Sequence, residues 1–264
     1  MGFIIDETPY PGGKESDRVF CVRANNPSPM TYTGTNTWIL AEAQSPECIV
    51  IDPAPAGQHV QEVIDACVNA GLRVGAVVCT HMHADHTEGA EELADMTGSC
   101  AYAPFDGTLQ PGDFQPIENG PALRVVPLPG HSSDSVGLVY PADRAMFTGD
   151  VVFKHGPTVV YYPDGNLGDY LRSLDTIEQI VKEEGIQVLY PGHGYPITDP
   201  LQAIEATRQH RLDRLQQIKD ALAAGVARDA DALVDVVYVD IDPGLRDAAL
   251  RSVKAQLVYL DEAQ

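Results

Sequence analysis

Short runs of apolar and β-branched residues recur along the first part of the chain, each closed by a turn-rich loop. Eight of them read as strands: RVFCVRA (18–24), TNTWILA (35–41), ECIVIDP (47–53), VGAVVCT (74–80), ALRVVPL (122–128), SVGLVY (135–140), RAMFTGD (144–150) and IQVLYPG (186–192). Three other stretches repeat apolar positions every three or four residues and predict helices over about 57–70, 88–97 and 168–184. QHVQEVIDAC (58–67) and DYLRSLDTI (169–177) show that spacing well. From Asp199 onward the pattern is helical throughout. One long amphipathic run covers 200–224, and shorter ones follow near 229–238 and 244–262, with Asp242-Pro243-Gly244 as the turn between the last two. The chain therefore divides into an α/β unit, 1–199, and a helical appendage, 200–264. It contains no internal repeat and no low-complexity segment.

With 264 residues and a hydrophobic fraction of 44%, the chain can bury a substantial core. The opening MGFIIDETPYPGGKESD has neither a basic region nor an apolar core ahead of Asp6, so no secretory signal is expected. No apolar stretch approaches the ~18 residues that span a membrane. The five cysteines are an odd number, widely spaced and without a CxxC pair. Reduced, mostly buried thiols in a cytoplasmic protein are the expectation. Charge narrows the partners further. Lys plus Arg total 17 against 38 Asp plus Glu, a formal net charge of −21 that repels polyanions. Extended nucleic acid is disfavoured without being excluded, since a local basic patch can override the field. A small molecule is the expected substrate.

The stretch CTHMHADHTEG (79–89) places His81, His83, Asp85 and His86 within six residues, in a chain with eight histidines. Four further features stand at strand ends: PGHSSD (129–134), TGD (148–150), HG (155–156) and PGHG (191–194). Glycine beside a His or Asp lets the backbone turn sharply there, so side chains from different strands converge at one sheet edge. Imidazole and carboxylate donors without thiolate suit zinc, and also iron or manganese. His81, His83, Asp85, His86, His131, Asp150 and His193 suffice for two metals if one carboxylate is shared. Two divalent ions ~3.5–4 Å apart can hold a hydroxide between them and polarise a substrate oxygen. A lone His at a strand end is more often a satisfied polar residue than a ligand. An HxHxDH run followed by His131, Asp150 and His193 at separations of 50, 19 and 43 residues is a different matter. His59 and His210 fall on predicted helices and read as surface or packing residues.

THMHADH, followed in order by PGH (129–131), TGD (148–150) and PGHG (191–194), resembles the signature of the metallo-β-lactamase superfamily, over about residues 18–200. The resemblance implies an αβ/βα four-layer sandwich with metals at one edge of two packed sheets. It also implies that His81, His83 and His131 hold one ion, that Asp85, His86 and His193 hold a second, and that Asp150 bridges them. Two zinc ions are the implied cofactors, with iron or manganese as alternatives. Asp150 in the bridging place argues against an antibiotic-degrading enzyme, and His83, where oxygen-reducing flavodiiron relatives carry Glu, argues against redox chemistry. Within the superfamily, NPSPMTYTGTNTWIL (26–40), GPTVVYYPDGNLGDYLRSL (156–174) and HRLDRLQQI (210–218) resemble the β-lactamase-like protein 2 group. Its members are hydrolases related to a mitochondrial single-strand RNA endonuclease, and the last stretch would open a small winged-helix-like C-terminal segment. The resemblance thus implies a hydrolase in which Asp85 or Asp150 orients the nucleophile and relays its proton. A small ester, thioester or lactone is the first substrate reading. A single-strand RNA endonuclease or phosphodiesterase is the alternative, and a non-catalytic metal-stabilised binding protein is a third.

Substrate contacts are less clearly written. Lys154, His155 and Tyr195 follow ligand-bearing strand ends and can meet substrate, or be ordinary loop residues. Tyr161 and Tyr162 can stack on bases or pack a loop. Arg208, Arg211, Arg214 and Lys219 form the one visible basic cluster, either for a substrate anion or as a solvated face paired with nearby acids. Thr80 and Thr148 are placed to support ligands by hydrogen bonds.

Overall fold

The computed structural model describes residues 10–262. Strands β1 (Gly13–Lys14), β2 (Val19–Arg23), β3 (Asn36–Ala41), β4 (Glu47–Ile51), β5 (Arg73–Val78) and β6 (Cys100–Tyr102) form one sheet in that order. Strands β7 (Gly112–Phe114), β8 (Leu123–Pro127), β9 (Val136–Tyr140), β10 (Ala145–Gly149) and β11 (Val188–Pro191) form the second, ordered β11-β10-β9-β8-β7. The first sheet is antiparallel from β1 to β4 and parallel from β4 to β6. In the second only the β10–β11 pair is parallel. All eight expected strands are present. Strands β1, β6 and β7 were not expected: each has only two or three residues, too few to display a period.

The helices are α1 (Gln58–Asn69), α2 (Ala84–Thr87), α3 (Ala90–Thr97), α4 (Leu167–Glu184), α5 (Pro200–Ala223), α6 (Ala230–Val237) and α7 (Arg246–Glu262). Their ends follow from local chemistry. Asn166, Asp199 and Asp229 each accept a backbone N–H at the start of α4, α5 and α6, and Pro200 occupies the first turn of α5, where its missing N–H leaves no bond unmade. Gly185 ends α4 with φ 65°, a left-handed turn that glycine takes without steric penalty. The one-turn helix α2 holds Asp85 and His86. Between α6 and α7 the expected turn is a 3-10 turn, Pro243–Leu245.

Strand residues alternate between two cores, as the two-residue period of a strand requires. Trp38, Leu40, Ile49 and Ile51 point between the sheets and meet Leu138 and Phe147. Ile39, Val50 and Val77 point the other way, against Val63 of α1 and Leu93 of α3. On the second sheet Val139, Met146 and Leu189 face Tyr170, Leu174 and Ile177 of α4. Helix, sheet, sheet and helix are thus stacked in four layers, and full burial of one such side chain contributes about 1.5–3 kcal/mol. Ile204, Leu215 and Ala255, from α5 and α7, join the outer core of the second sheet. Ile218, Leu233 and Val253 pack with one another in a separate cluster. Among the described residues no strand follows residue 200, so the C-terminal segment has helices without a β-wing.

All five cysteines are free thiols; four are buried, and Cys100 is exposed.

Candidate metal centre

The chain leaves β5, β10 and β11 at the same edge of the sandwich, and the turn between β8 and β9 joins them there. Three histidines converge first. His83 Nδ1 lies 3.0 Å from His81 Nε2 and 2.9 Å from His131 Nε2. His131 Nδ1 donates to Val159 O at 2.6 Å, and His81 Nδ1 stands 3.1 Å from Thr80 Oγ1, which itself donates to Asp52 Oδ2. This network assigns the proton of each ring to Nδ1 and turns both Nε2 lone pairs toward His83. Burial holds all three imidazoles below their usual range, so they are neutral donors, with His131 pushed down to about 4.

A second group sits alongside. His193 Nε2 is 3.3 Å from Asp85 Oδ2 and 3.4 Å from Asp150 Oδ2, and His86 Nε2 is 3.3 Å from Asp150 Oδ1. Burial alone would lower the two histidines and raise the two acids. The charges win in the other direction: Asp150 lifts both His86 and His193, the latter to about 9, while His193 and His86 hold Asp150 well below the usual carboxylate range. Asp150 Oδ2 also lies 3.8 Å from His131 Nε2, so one carboxylate faces both groups.

The donor atoms of each group lie within 4.8 Å of one another. His86 Nε2, His193 Nε2 and Asp150 Oδ1 are buried and make no hydrogen bond. Each such orphan destabilises a fold by about 1–3 kcal/mol, and a divalent cation would satisfy all three together. The backbone leaves room for them. A Cβ on Gly192 would fall against Asp150 Oδ1 and within 2.6 Å of His86 Cε1. The residues therefore fit a divalent metal.

Much of the support comes from the GTNTW stretch (34–38) of β3 and the loop before it. Thr35 Oγ1 donates to Asp85 O at 3.0 Å. Asn36 Nδ2 donates to Pro191 O and Gly194 O, and Trp38 Nε1 donates to Pro191 O, pinning the loop that carries His193. Asp52 escaped the sequence reading. It is buried, accepts from Thr80 N at 2.7 Å and from Thr80 Oγ1 at 2.8 Å, and takes the His86 Nδ1 proton at 2.9 Å. Its signal was IDP (51–53), a strand-ending Asp before Pro, which reads as a turn. Thr80 is hydrogen-bonded to His81 and Asp52. Thr148 is not: its hydroxyl is buried without a hydrogen-bond partner.

A cavity of about 1050 Å³ opens beside this centre, walled by His131, Asp150 and His193 on one side and by α5 and α7 on another. Of the expected substrate contacts, His155 and Tyr195 line it. Lys154 is exposed, with Nζ 5.1 Å from the Tyr195 ring. Tyr161 packs its ring 4.9 Å from that of His83 and carries Arg251 over its face, whereas Tyr162 packs into the outer core. The basic stripe divides. Arg208 pairs with Asp175, Glu178 and Glu205, the solvated-face arrangement. Lys219 is exposed. Arg211 is buried and bonds Thr158 O, while Arg214 bonds Val237 O at 2.7 Å; both line the cavity, as does His210. His59 is a buried packing residue, its Nε2 2.8 Å from Thr37 Oγ1.

A two-sheet sandwich with clustered imidazoles and carboxylates at one edge is the frame of a metal-dependent hydrolase. The chain belongs to the metallo-β-lactamase superfamily, whose family model matches residues 101–193. A β-lactamase-like protein 2 homolog from Caenorhabditis elegans is 26% identical over 259 residues, covering 94% of this chain and 85% of that protein. An atrochrysone carboxyl ACP thioesterase from Cryptosporiopsis sp. is 30% identical over 268 residues, covering 92% of this chain and 79% of its own length. Three further thioesterases so named, from Aspergillus species, are spanned over 58% to 66% of their length. Among solved structures, a β-lactamase domain protein from Burkholderia ambifaria shares the fold with a TM-score of 0.78 at 22% identity, over 98% of this chain and 91% of that one.

Proposed function

We propose that this protein is a dinuclear hydrolase of the cytoplasm that cleaves a small ester, thioester or lactone. The observation that carries the reading is Asp150, whose carboxylate faces both donor groups. His81, His83 and His131 would hold one ion, Asp85, His86 and His193 the other, with Asp150 shared between them. Zinc suits this donor set best, and iron or manganese can replace it. Such ions, when bound, lower the pKa of water toward neutrality and polarise a carbonyl oxygen.

The remaining work falls to the chain. Asp150 is nearly enclosed, and Thr158 Oγ1 donates to its backbone carbonyl at 2.6 Å, so its carboxylate is fixed as an orienting group. Asp85 has a side chain 31% exposed and reaches solvent, so its carboxylate oxygen not turned to His193 suits the passage of a proton from the attacking water to solvent. Phe153, His155 and Tyr195 wall the cavity next to these groups and would exclude bulk water from the reacting carbonyl. The helices after about residue 200 serve as an appendage that closes the cavity's far side.

Three observations favour a small acyl substrate. The cavity has the size of a small-molecule site. Relatives carry thioesterase names. The net charge of −21 opposes a polyanion. Free thiols suit a reducing compartment, and among the described residues no helix is long and apolar enough to cross a membrane.

A panel of thioesters, esters, lactones, phosphodiesters and single-stranded RNA, assayed with and without chelator, tests the reading. Thioester or ester hydrolysis abolished by chelator and by His83→Ala is the expected result. RNA cleavage suppressed by chelator and by Arg211→Glu would replace it with the nuclease reading. Protein with no stoichiometric zinc, iron or manganese, and hydrolysis untouched in His83→Ala, would end the metal mechanism altogether.

A further inference from the structure

The cavity beside the metal centre has a polarity that the hydrolytic reading leaves unused. Much of its wall is apolar or aromatic: Tyr32, Phe153, Val237, Tyr238 and Leu245 all contribute. Into that wall α5 sets Arg211, only 3% exposed. Its Nη2 donates to Thr158 O and its Cζ lies 5.3 Å over the Tyr170 ring, but its Nε is buried with no hydrogen-bond partner. Among the described residues no carboxylate pairs with Arg211. A buried guanidinium without a counter-charge is costly, because it gives up hydration and receives only partial dipoles in return. Besides Asp150, which is buried and turned to the histidines of the candidate centre, the acids that line the same cavity are Asp220, Asp240 and Asp242, all exposed. Water screens them, so they neutralise Arg211 weakly. Arg214, half-buried on the same helix, adds a second cation to that wall. His210 lines the same wall and is pushed down to about 4 by burial and then by Arg211 and Arg214.

We infer that Arg211, helped by Arg214, is the specificity anchor of the cavity: the substrate's acyl group is an apolar body bearing a carboxylate, whose negative charge Arg211 receives while the scissile carbonyl lies at the metal centre. This rests on the reading of the cavity as the substrate site. Arginine suits the role because its planar fork meets a carboxylate through two parallel hydrogen bonds, and its charge is always present. The apolar walls then select the body of the acyl group by burial, and the anchor fixes its direction. Arg211 also bonds the loop that holds Asp150 and His131 through Thr158 and Val159, so anchor and metal donors share one rigid segment.

The test compares 2-naphthoate with 2-naphthamide, an isosteric neutral analogue, by calorimetric titration of the metal-loaded enzyme. The wild type should bind the carboxylate about tenfold or more tightly than the amide. Arg211→Met should lose that preference, and Arg211→Lys, which keeps the charge without the fork, should retain part of it. Metal content and circular dichroism on each variant show that the centre and fold survive. Equal binding of the two probes by the wild type, or no binding of naphthoate at millimolar concentration, overturns the inference without recourse to any variant. A preference that persists in folded Arg211→Met overturns it as well, since the carboxylate would then sit on the metals. Hydrolysis of thioesters without a carboxylate preference sinks this inference alone, whereas an Arg211-dependent preference in an enzyme that hydrolyses nothing sinks the hydrolytic reading alone.

Discussion

His86 Nδ1 donates to Asp52 Oδ2 across 2.9 Å, and the same carboxylate oxygen accepts from Thr80 Oγ1 at 2.8 Å. The bond fixes the His86 ring with Nε2 turned toward Asp150, where a bound cation would take the place of its proton. Such outer partners of metal-ligating histidines commonly govern affinity by 10–100-fold, so on the proposed two-ion reading Asp52→Asn should lower the affinity for one ion by about that factor. Asp52 has φ 52°, a left-handed conformation that Asn tolerates, so the variant should fold normally. Competition with a graded chelator would read the effect. Unchanged affinity for both ions would remove Asp52 from the centre.

Gly192 owes its identity to space. Its φ is not in the left-handed region, yet a Cβ there would press on Asp150 Oδ1 and His86 Cε1. Gly192→Ala should therefore displace those donors, reduce bound metal to about one ion or fewer, and destabilise the fold by about 1–3 kcal/mol. Elemental analysis beside urea unfolding checks both halves.

His59 makes the protein pH-sensitive away from the metals. Burial is the largest influence and holds its pKa below the ordinary 6.5, even though Glu62 stands nearby to raise it. The unfolded chain begins to bind this proton as pH falls through about 6.5, while the folded chain resists. The contribution is thus complete above the unfolded value and lost as pH falls toward the folded one. Between about pH 7.5 and about pH 5.5, wild type should lose more stability than His59→Gln, which keeps a donor toward Thr37 but cannot titrate. Parallel urea curves for the two proteins at both pH values would refute it.

The thiols predict a simple count. Cys100 is exposed, and Cys21, Cys48, Cys67 and Cys79 are buried. Burial pushes the thiols of Cys21 and Cys79 up, which suppresses their reactive thiolates. A disulfide reagent should find one fast thiol in the native protein and all five after unfolding. A second fast thiol in the native state would contradict the burial of the other four.

How much of this was legible beforehand depends on how far apart the interacting residues lie in the chain. His81, His83, Asp85 and His86 announced themselves because they crowd into one short stretch. His131, Asp150 and His193 could be found because each follows a strand beside a glycine. Asp52 follows a strand too, but before proline it is indistinguishable from a turn residue, and only the folded chain brings it to His86. The arginines of α5 make the same point from the other side. Arg208, Arg211 and Arg214 share one spacing, and spacing does not say which of them meets acids and which enters a core. Strands β6 and β7 are held by their neighbours' backbone bonds, so three residues suffice in the sheet while carrying no pattern in the sequence.

The clamp between Arg211 and Thr158 has a further consequence for how the protein is made. A chain emerging from the ribosome presents His81 to His86 first, then His131 and Asp150, and His193 only after β11. Arg211 emerges last of these, within α5. Until then the loop carrying Thr158 and Val159 lacks its brace, and the second donor group waits for His193, which follows β11. Chains that stop short of α5 should accordingly be poor at discriminating among metals, because selectivity requires donors held in place and not merely present. On the proposed metal reading, synthesis as far as Arg211, midway along α5, would be part of choosing the ion.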